Sequence, residues 1–136
     1  MQKKIIMIID DNPHDNFFTK RVIKQNDADD IIITMESAVL ALEYLEAGTV
    51  PKPDLIFLDI YMPVMDGWEF LDRYCKLDAD LRIGLMIVML ATSGDPAHVQ
   101  RAKTWDCISE YIMKPLTIEK MEGLSDKYFV ASREVL

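Results

Sequence analysis

With 136 residues, half of them apolar, the chain is long enough for one domain with a sizeable core and too apolar for a disordered one. Its formal net charge of −8 argues against non-specific binding to nucleic acid, because a polyanion is repelled. No apolar run reaches the length of a membrane span, and the first run leads into Asp10-Asp11 without a small-residue cleavage site, so neither a membrane segment nor a signal peptide is read.

In chain order, apolar runs of strand length alternate with longer amphipathic stretches. Strands are expected over Lys4–Ile9, Ile31–Met35, Leu55–Leu58, Met86–Ala91 and Glu110–Met113. The first, third and fourth are nearly continuous apolar runs, as in strands covered on both faces. Helices are expected over Pro13–Asn26, Ala38–Ala47, Trp68–Leu77, Pro96–Thr104 and Ile118–Phe129. Asn12-Pro13 and Asp95-Pro96 each place an N-cap before a proline at the first helical position; Ser37 and Thr117 are further N-caps, and Gly48 stops the second helix. The stretch Asp78–Leu85 reads either as loop or as a fourth strand begun early at Leu81. Strand-then-helix repeated five times implies a parallel sheet with right-handed crossovers and helices on both faces. One domain is expected over residues 1–136, with no output domain. Cys75 and Cys107 lie in separate elements without metal-ligand spacing and read as two free thiols in a reducing cytoplasm.

The chemistry gathers at the C-terminal ends of the strands, where open α/β folds bind ligands. Asp10 and Asp11 end the first run, Asp59 ends the third, and Lys114-Pro115 ends the last. Three like charges repel and raise a pKa unless a cation neutralises them. A hard divalent ion with few protein ligands and several waters suits such a set, so Mg²⁺ (or Mn²⁺) is the expected cofactor. A carboxylate with a free oxygen, beside a metal and an ammonium, is prepared to attack a phosphoryl group in line. Taken singly, each feature has a plainer reading. Asp10-Asp11 would favour the dipole of the helix that follows, Asp59 could form a turn, and Lys-Pro is common after a strand.

The motifs Ile9-Asp10-Asp11, Leu58-Asp59, Met62-Pro63, Asp66-Gly67, Thr92 and Lys114-Pro115, in this order and spacing, resemble a response-regulator receiver domain of the CheY type. The resemblance implies a flavodoxin-like five-stranded sheet of order 2-1-3-4-5, the order that CheY itself exemplifies. It implies Asp59 as phosphoacceptor. It also implies Mg²⁺ ligation by Asp11, Asp59 and the backbone carbonyl of Tyr61, with Asp10 acting through water. Lys114 would pair with the phosphoryl oxygens across a cis Lys114–Pro115 peptide, and Thr92, rather than the adjacent Ser93, would bond the phosphoryl group. Tyr111 falls at the family's switch aromatic, turning inward as Thr92 moves. The surface around His14, in the first turn of helix one, would dock the phosphodonor.

Other residues carry smaller expectations. Trp68 reads as a packing or surface aromatic of the third helix, His98 as an exposed residue of the fourth, and Tyr61 as a bulky neighbour able to shield a phosphoryl group on Asp59. A haloacid-dehalogenase-like phosphatase needs a second acid two residues after its nucleophile, where this chain has Tyr61. A flavodoxin needs a hydroxyl- and glycine-rich loop where this chain has Asp10-Asp11-Asn12-Pro13. A phosphorylation-independent interaction module is the remaining alternative. The expected protein is thus a cytoplasmic stand-alone receiver, not an enzyme in its own right, that assists its own phosphorylation and dephosphorylation. A sensor histidine kinase or histidine phosphotransfer protein would donate to it. Its signal would leave through a downstream protein or an activation-dependent homodimer, with no direct contact to nucleic acid or membrane.

Overall fold

A computed structural model describes residues 4–82, 86–91 and 95–129. Five strands, β1 (Ile5–Ile9), β2 (Ile31–Met35), β3 (Leu55–Asp59), β4 (Met86–Ala91) and β5 (Ile108–Met113), alternate with five helices. These are α1 (Pro13–Asn26), α2 (Ala38–Glu46), α3 (Gly67–Tyr74), α4 (Pro96–Ala102) and α5 (Ile118–Tyr128). The strands form one sheet of order β2-β1-β3-β4-β5, and every neighbouring pair is parallel. Thr92 and Ser93 lie outside the described residues, as does part of Asp78–Leu85. Within that stretch Leu81 donates its backbone N–H to the Asp78 carbonyl, so residues up to Arg82 turn, and β4 begins only at Met86.

Period-two alternation explains how one apolar run serves two cores. Met7 and Ile9 of β1, with Ile56 and Leu58 of β3, pack under Ala41, Leu42 and Leu45 of α2 and Phe70, Leu71 and Tyr74 of α3. Their neighbours Ile6, Ile8, Leu55 and Phe57 face the other way, against Ile23 of α1 and Met121 and Leu124 of α5. β1 and β3 sit inside the sheet and have no polar face to spare; their residues from Ile6 to Ile9 and from Leu55 to Leu58 are fully buried. The edge strand β2 is more open, with Ile31 exposed.

Helix starts follow local hydrogen bonding. Asn12 Oδ1 accepts from the N–H groups of His14 and Asp15, Ser37 Oγ from Val39 and Leu40, Asp95 Oδ1 from Ala97 and Thr117 Oγ1 from Lys120. Gly48 ends α2 in the left-handed region at φ 64°. A capping box not singled out from the sequence starts α3: Asp66 Oδ1 accepts from Glu69 N–H while Glu69 Oε1 accepts from Asp66 N–H.

The cysteine expectation is corrected. Cys75, at the C-cap of α3, and Cys107, just before β5, are joined in a disulfide with a Cα–Cα distance of 6.5 Å. Both rest against the core beneath α2 and α3. Tertiary packing brings them together across 32 residues, a separation that carries no pairing signal in sequence. Among the described residues no helix is long and apolar enough to cross a membrane.

Two glycines give opposite expectations. A Cβ on Gly67 would lie 2.6 Å from the Asp59 carbonyl oxygen and 2.9 Å from Ile60 Cα, both rigid backbone atoms. Gly123, on the exposed side of α5, has nothing within 4 Å of its would-be Cβ. In urea unfolding, Gly67→Ala is expected to lose about 2 kcal/mol by overpacking, and Gly123→Ala to gain about 0.5–1 kcal/mol from helix propensity. Equal shifts in the two variants would show that α3 does not close against the end of β3.

Candidate functional site

The parallel strands end at the same side of the sheet, so residues at or just past the ends of β1, β3 and β5 meet. One carboxylate oxygen from each of Asp10, Asp11 and Asp59 lies within 4.8 Å of the others. Asp10 and Asp59 are buried, and Asp11 is the most open of the three. From β5, Lys114 Nζ reaches Asp10 Oδ2 at 2.8 Å and Asp59 Oδ1 at 3.1 Å. It also donates to Asp15 Oδ2 at 2.8 Å. The Lys114–Pro115 peptide is cis; a second cis bond, Val50–Pro51, lies elsewhere.

Each acid is held by the backbone around it. Asp10 N–H donates to the Met35 carbonyl, extending the β1–β2 ladder by one residue. Its Oδ1 accepts from Asn12 N–H, and its carbonyl accepts from the Asn16 side-chain amide. Asp59 is the last residue of β3, paired in register with Leu90. The chain then turns through Ile60, whose carbonyl accepts from Gly67 N–H at 2.7 Å, so α3 starts directly against the site.

Electrostatics follow from this crowding. Burial pushes the Asp59 pKa up, the nearby Asp10 charge raises it further, and Lys114 offsets part of the rise, leaving it at about 6. Burial would lower the pKa of Lys114, but hydrogen bonds to Asp10 and Asp15 and the charge of Asp59 outweigh it and raise the value. The ammonium is therefore permanent at neutral pH. Four carboxylates against one ammonium leave a surplus of negative charge, and the all-oxygen donor set fits a hard divalent cation.

The fold thus brings Asp10, Asp11, Asp59 and Lys114 together. Asp15 joins them unforeseen; the only hint in sequence is its place in the first turn of a helix that begins right after Asp10-Asp11. Tyr61 lies on the loop beyond Asp59 with its ring half in solvent. Tyr111 is half-buried against the α2–α3 core, and burial raises its hydroxyl pKa, with Tyr61 and Asp95 adding to the rise. His14 is exposed on α1 beside exposed Phe17 and Phe18. The expectation of an exposed His98 is corrected. It is half-buried, with Nε2 3.1 Å from the Tyr61 hydroxyl and its ring beside Trp68, which is itself buried. Helical periodicity on a seven-residue helix could not reveal a partner two elements away.

Residues 6–124 match the family of the response regulator receiver domain. This chain belongs to that family. Among curated proteins the receiver is 31% identical over 93 residues to the two-component response regulator ARR12 of Arabidopsis thaliana, covering 68% of this chain but only 14% of that protein's length. Among solved structures, a two-component response regulator from Cytophaga hutchinsonii superposes with a TM-score of 0.83 at 26% identity, over 93% of this chain and 97% of that one. The Mn²⁺-bound form of response regulator Rcp1 superposes with a TM-score of 0.74 at 25% identity, over 90% of this chain and 92% of its own.

The raised pKa of Asp59 makes metal-free stability depend on pH. The folded carboxyl keeps its proton up to about pH 6, whereas an unfolded one releases it near pH 4. Stability contributed by this group is present below about pH 4 and is lost as pH rises through 6, a difference on the order of 3 kcal/mol. Without divalent metal, Asp59→Asn is expected to raise stability by about 1–3 kcal/mol near pH 7.5 and by much less near pH 4. Denaturant melts at the two pH values check this, and an equal gain at both would mean that Asp59 ionises normally.

Proposed function

We propose that the chain is a phosphoacceptor of a two-component phosphorelay, taking a phosphoryl group on Asp59 from the phosphohistidine of a sensor kinase or histidine phosphotransfer protein. The observation that carries this is the Asp59 carboxylate, buried at a strand end, paired with Lys114 and crowded by Asp10 and Asp11. An Asp59 oxygen would bond to phosphorus as the P–N bond to the donor imidazole breaks, the leaving imidazole being protonated from solvent. Above about pH 6 the nucleophile is ionised. Lys114 would turn one of its three N–H groups from a carboxylate to a phosphoryl oxygen, a charge-assisted bond made without moving the backbone. Thr92 would donate its hydroxyl to the same group.

Mg²⁺ or Mn²⁺ would be held by Asp11, Asp59 and the Tyr61 carbonyl, with Asp10 acting through water. When bound, such an ion neutralises the acids and takes up charge on the phosphoryl oxygens. The Mn²⁺ form of Rcp1, a 25%-identical receiver, supports this choice. The protein would be a cytoplasmic regulator, not an enzyme with a substrate of its own, that assists its own labelling and hydrolysis. The α1 surface near His14 would meet the donor. The signal would leave through the face containing Tyr111 to a downstream protein or a second copy of the chain.

Acetyl phosphate with Mg²⁺ is expected to label the wild type at one site, mapped by mass spectrometry, and beryllofluoride with Mg²⁺ to occupy the same site reversibly; Asp59→Asn is expected to show neither. Retained labelling of that variant, for instance at His14, would refute the assignment. Asp11→Ala is expected to weaken Mg²⁺ binding by about tenfold or more in a tryptophan-fluorescence titration, since it removes a direct carboxylate ligand. Unchanged affinity would remove Asp11 from the ligand set.

A further inference from the structure

Tyr61 leaves the β3–α3 loop two residues after Asp59, and the residue is 54% exposed. A tyrosine so placed has two free side-chain torsions and little packing to choose between its rotamers. The structure nevertheless gives its hydroxyl a partner. His98 on α4 brings Nε2 to 3.1 Å and Nδ1 to 3.4 Å of the oxygen, and the two rings meet edge to face at 5.9 Å.

His98 is itself held from the other side. Its ring lies 6.2 Å from that of Trp68 on α3, and Trp68 is covered by a stacked Trp105 at 5.4 Å and by the Arg101 guanidinium at 4.6 Å. The Cys75–Cys107 disulfide ties the loop after Trp105 to the end of α3. The imidazole thus lies tilted at 57° beside a supported Trp68–Trp105 stack, and it reaches across to the loop that follows Asp59.

We infer that His98 is a positioning residue for the aspartyl phosphate: by holding the Tyr61 hydroxyl it keeps the ring beside Asp59 and lengthens the life of the phosphorylated state. The inference rests on the reading of Asp59 as phosphoacceptor. Hydrolysis needs a water oxygen to bond to phosphorus while the bond from phosphorus to Asp59 breaks. Asp59 recovers its carboxylate, and inorganic phosphate and a proton leave to solvent. Held two residues after Asp59, the ring would stand in the path of that water, whereas an untethered ring would swing away from it. His98 touches neither phosphorus nor water, so its effect passes entirely through Tyr61. The same contact ties α4 to the loop that follows Asp59, so the lifetime of the signal and the placement of α4 share one contact.

The test is a double-mutant cycle on the decay of phospho-Asp59 after acetyl phosphate is removed, with Mg²⁺ in excess. Tyr61→Phe and His98→Ala are each expected to speed decay by about fivefold, the effect of one hydrogen bond. The double variant is expected to decay no faster than either single one. His98→Gln, which can still bond the hydroxyl, is expected to restore most of the wild-type lifetime. Multiplicative effects, no rescue by glutamine, or a wild-type lifetime in His98→Ala would each overturn the inference, since a merely structural role for His98 predicts no dependence on the Tyr61 hydroxyl. A second measurement needs no phosphorylation: the ring-nitrogen shifts of His98 by NMR are expected to change in Tyr61→Phe, and unchanged shifts would overturn the tether alone. A wild type that takes no label while those shifts do change would instead refute the reading of Asp59, and with it the role of the tether in phosphate lifetime.

Discussion

The ammonium of Lys114 is the point at which the sheet, the first helix and the acidic site are tied together. It leaves the end of β5 and makes close contacts with Asp10 after β1, Asp59 at the end of β3 and Asp15 in α1. β1 and β5 are not neighbours in the sheet, since β3 and β4 lie between them. A long flexible side chain can bridge that distance where a backbone contact cannot. A compact ammonium with three donors also suits a place shared among several carboxylates better than a planar guanidinium would. Without this charge, Asp59, buried beside Asp10, would be pushed further towards its protonated form.

The two hydrophobic cores make such a site tolerable. Apolar side chains on both faces of β1 and β3 supply the burial that stabilises the sheet, so its strand ends can carry mutually repelling acids. The unfavourable interaction is local and concentrated on Asp59, whose pKa stands at about 6. A group held away from its ordinary charge state responds strongly to any cation or phosphoryl group placed next to it. The same crowding that costs stability would therefore make the site sensitive to a cation or phosphoryl group placed there.

The α3–α4 side is built differently. Stability there comes from aromatic stacking, a cation over an indole face and a covalent link, with only a short helix to carry them. Seven residues of helix have little intrinsic stability, so α4 depends on what it packs against. Contacts of this kind join residues far apart in the chain, and they connect the loop after Asp59 to a helix on the neighbouring strand's crossover.

Much of the fold and the centre of the site was legible in the chain. Alternating strand and helix patterns placed all ten elements to within a few residues, because period-two and 3.6-residue signals are local. Asn12, Ser37, Asp95 and Thr117 announced four helix starts because a cap is satisfied within three residues. Asp10, Asp11, Asp59 and Lys114 could be placed together from sequence since parallel strands must all end at the same side. What lay beyond the sequence depended on side chains meeting across elements. Asp15 turns towards Lys114, His98 meets Tyr61, and Cys75 finds Cys107, and no spacing encodes any of the three. Local hydrogen bonding and hydrophobic period decide which element forms and where its ends lie. Which surfaces of those elements touch is decided only when the layers pack, and there the chain's own order no longer measures distance.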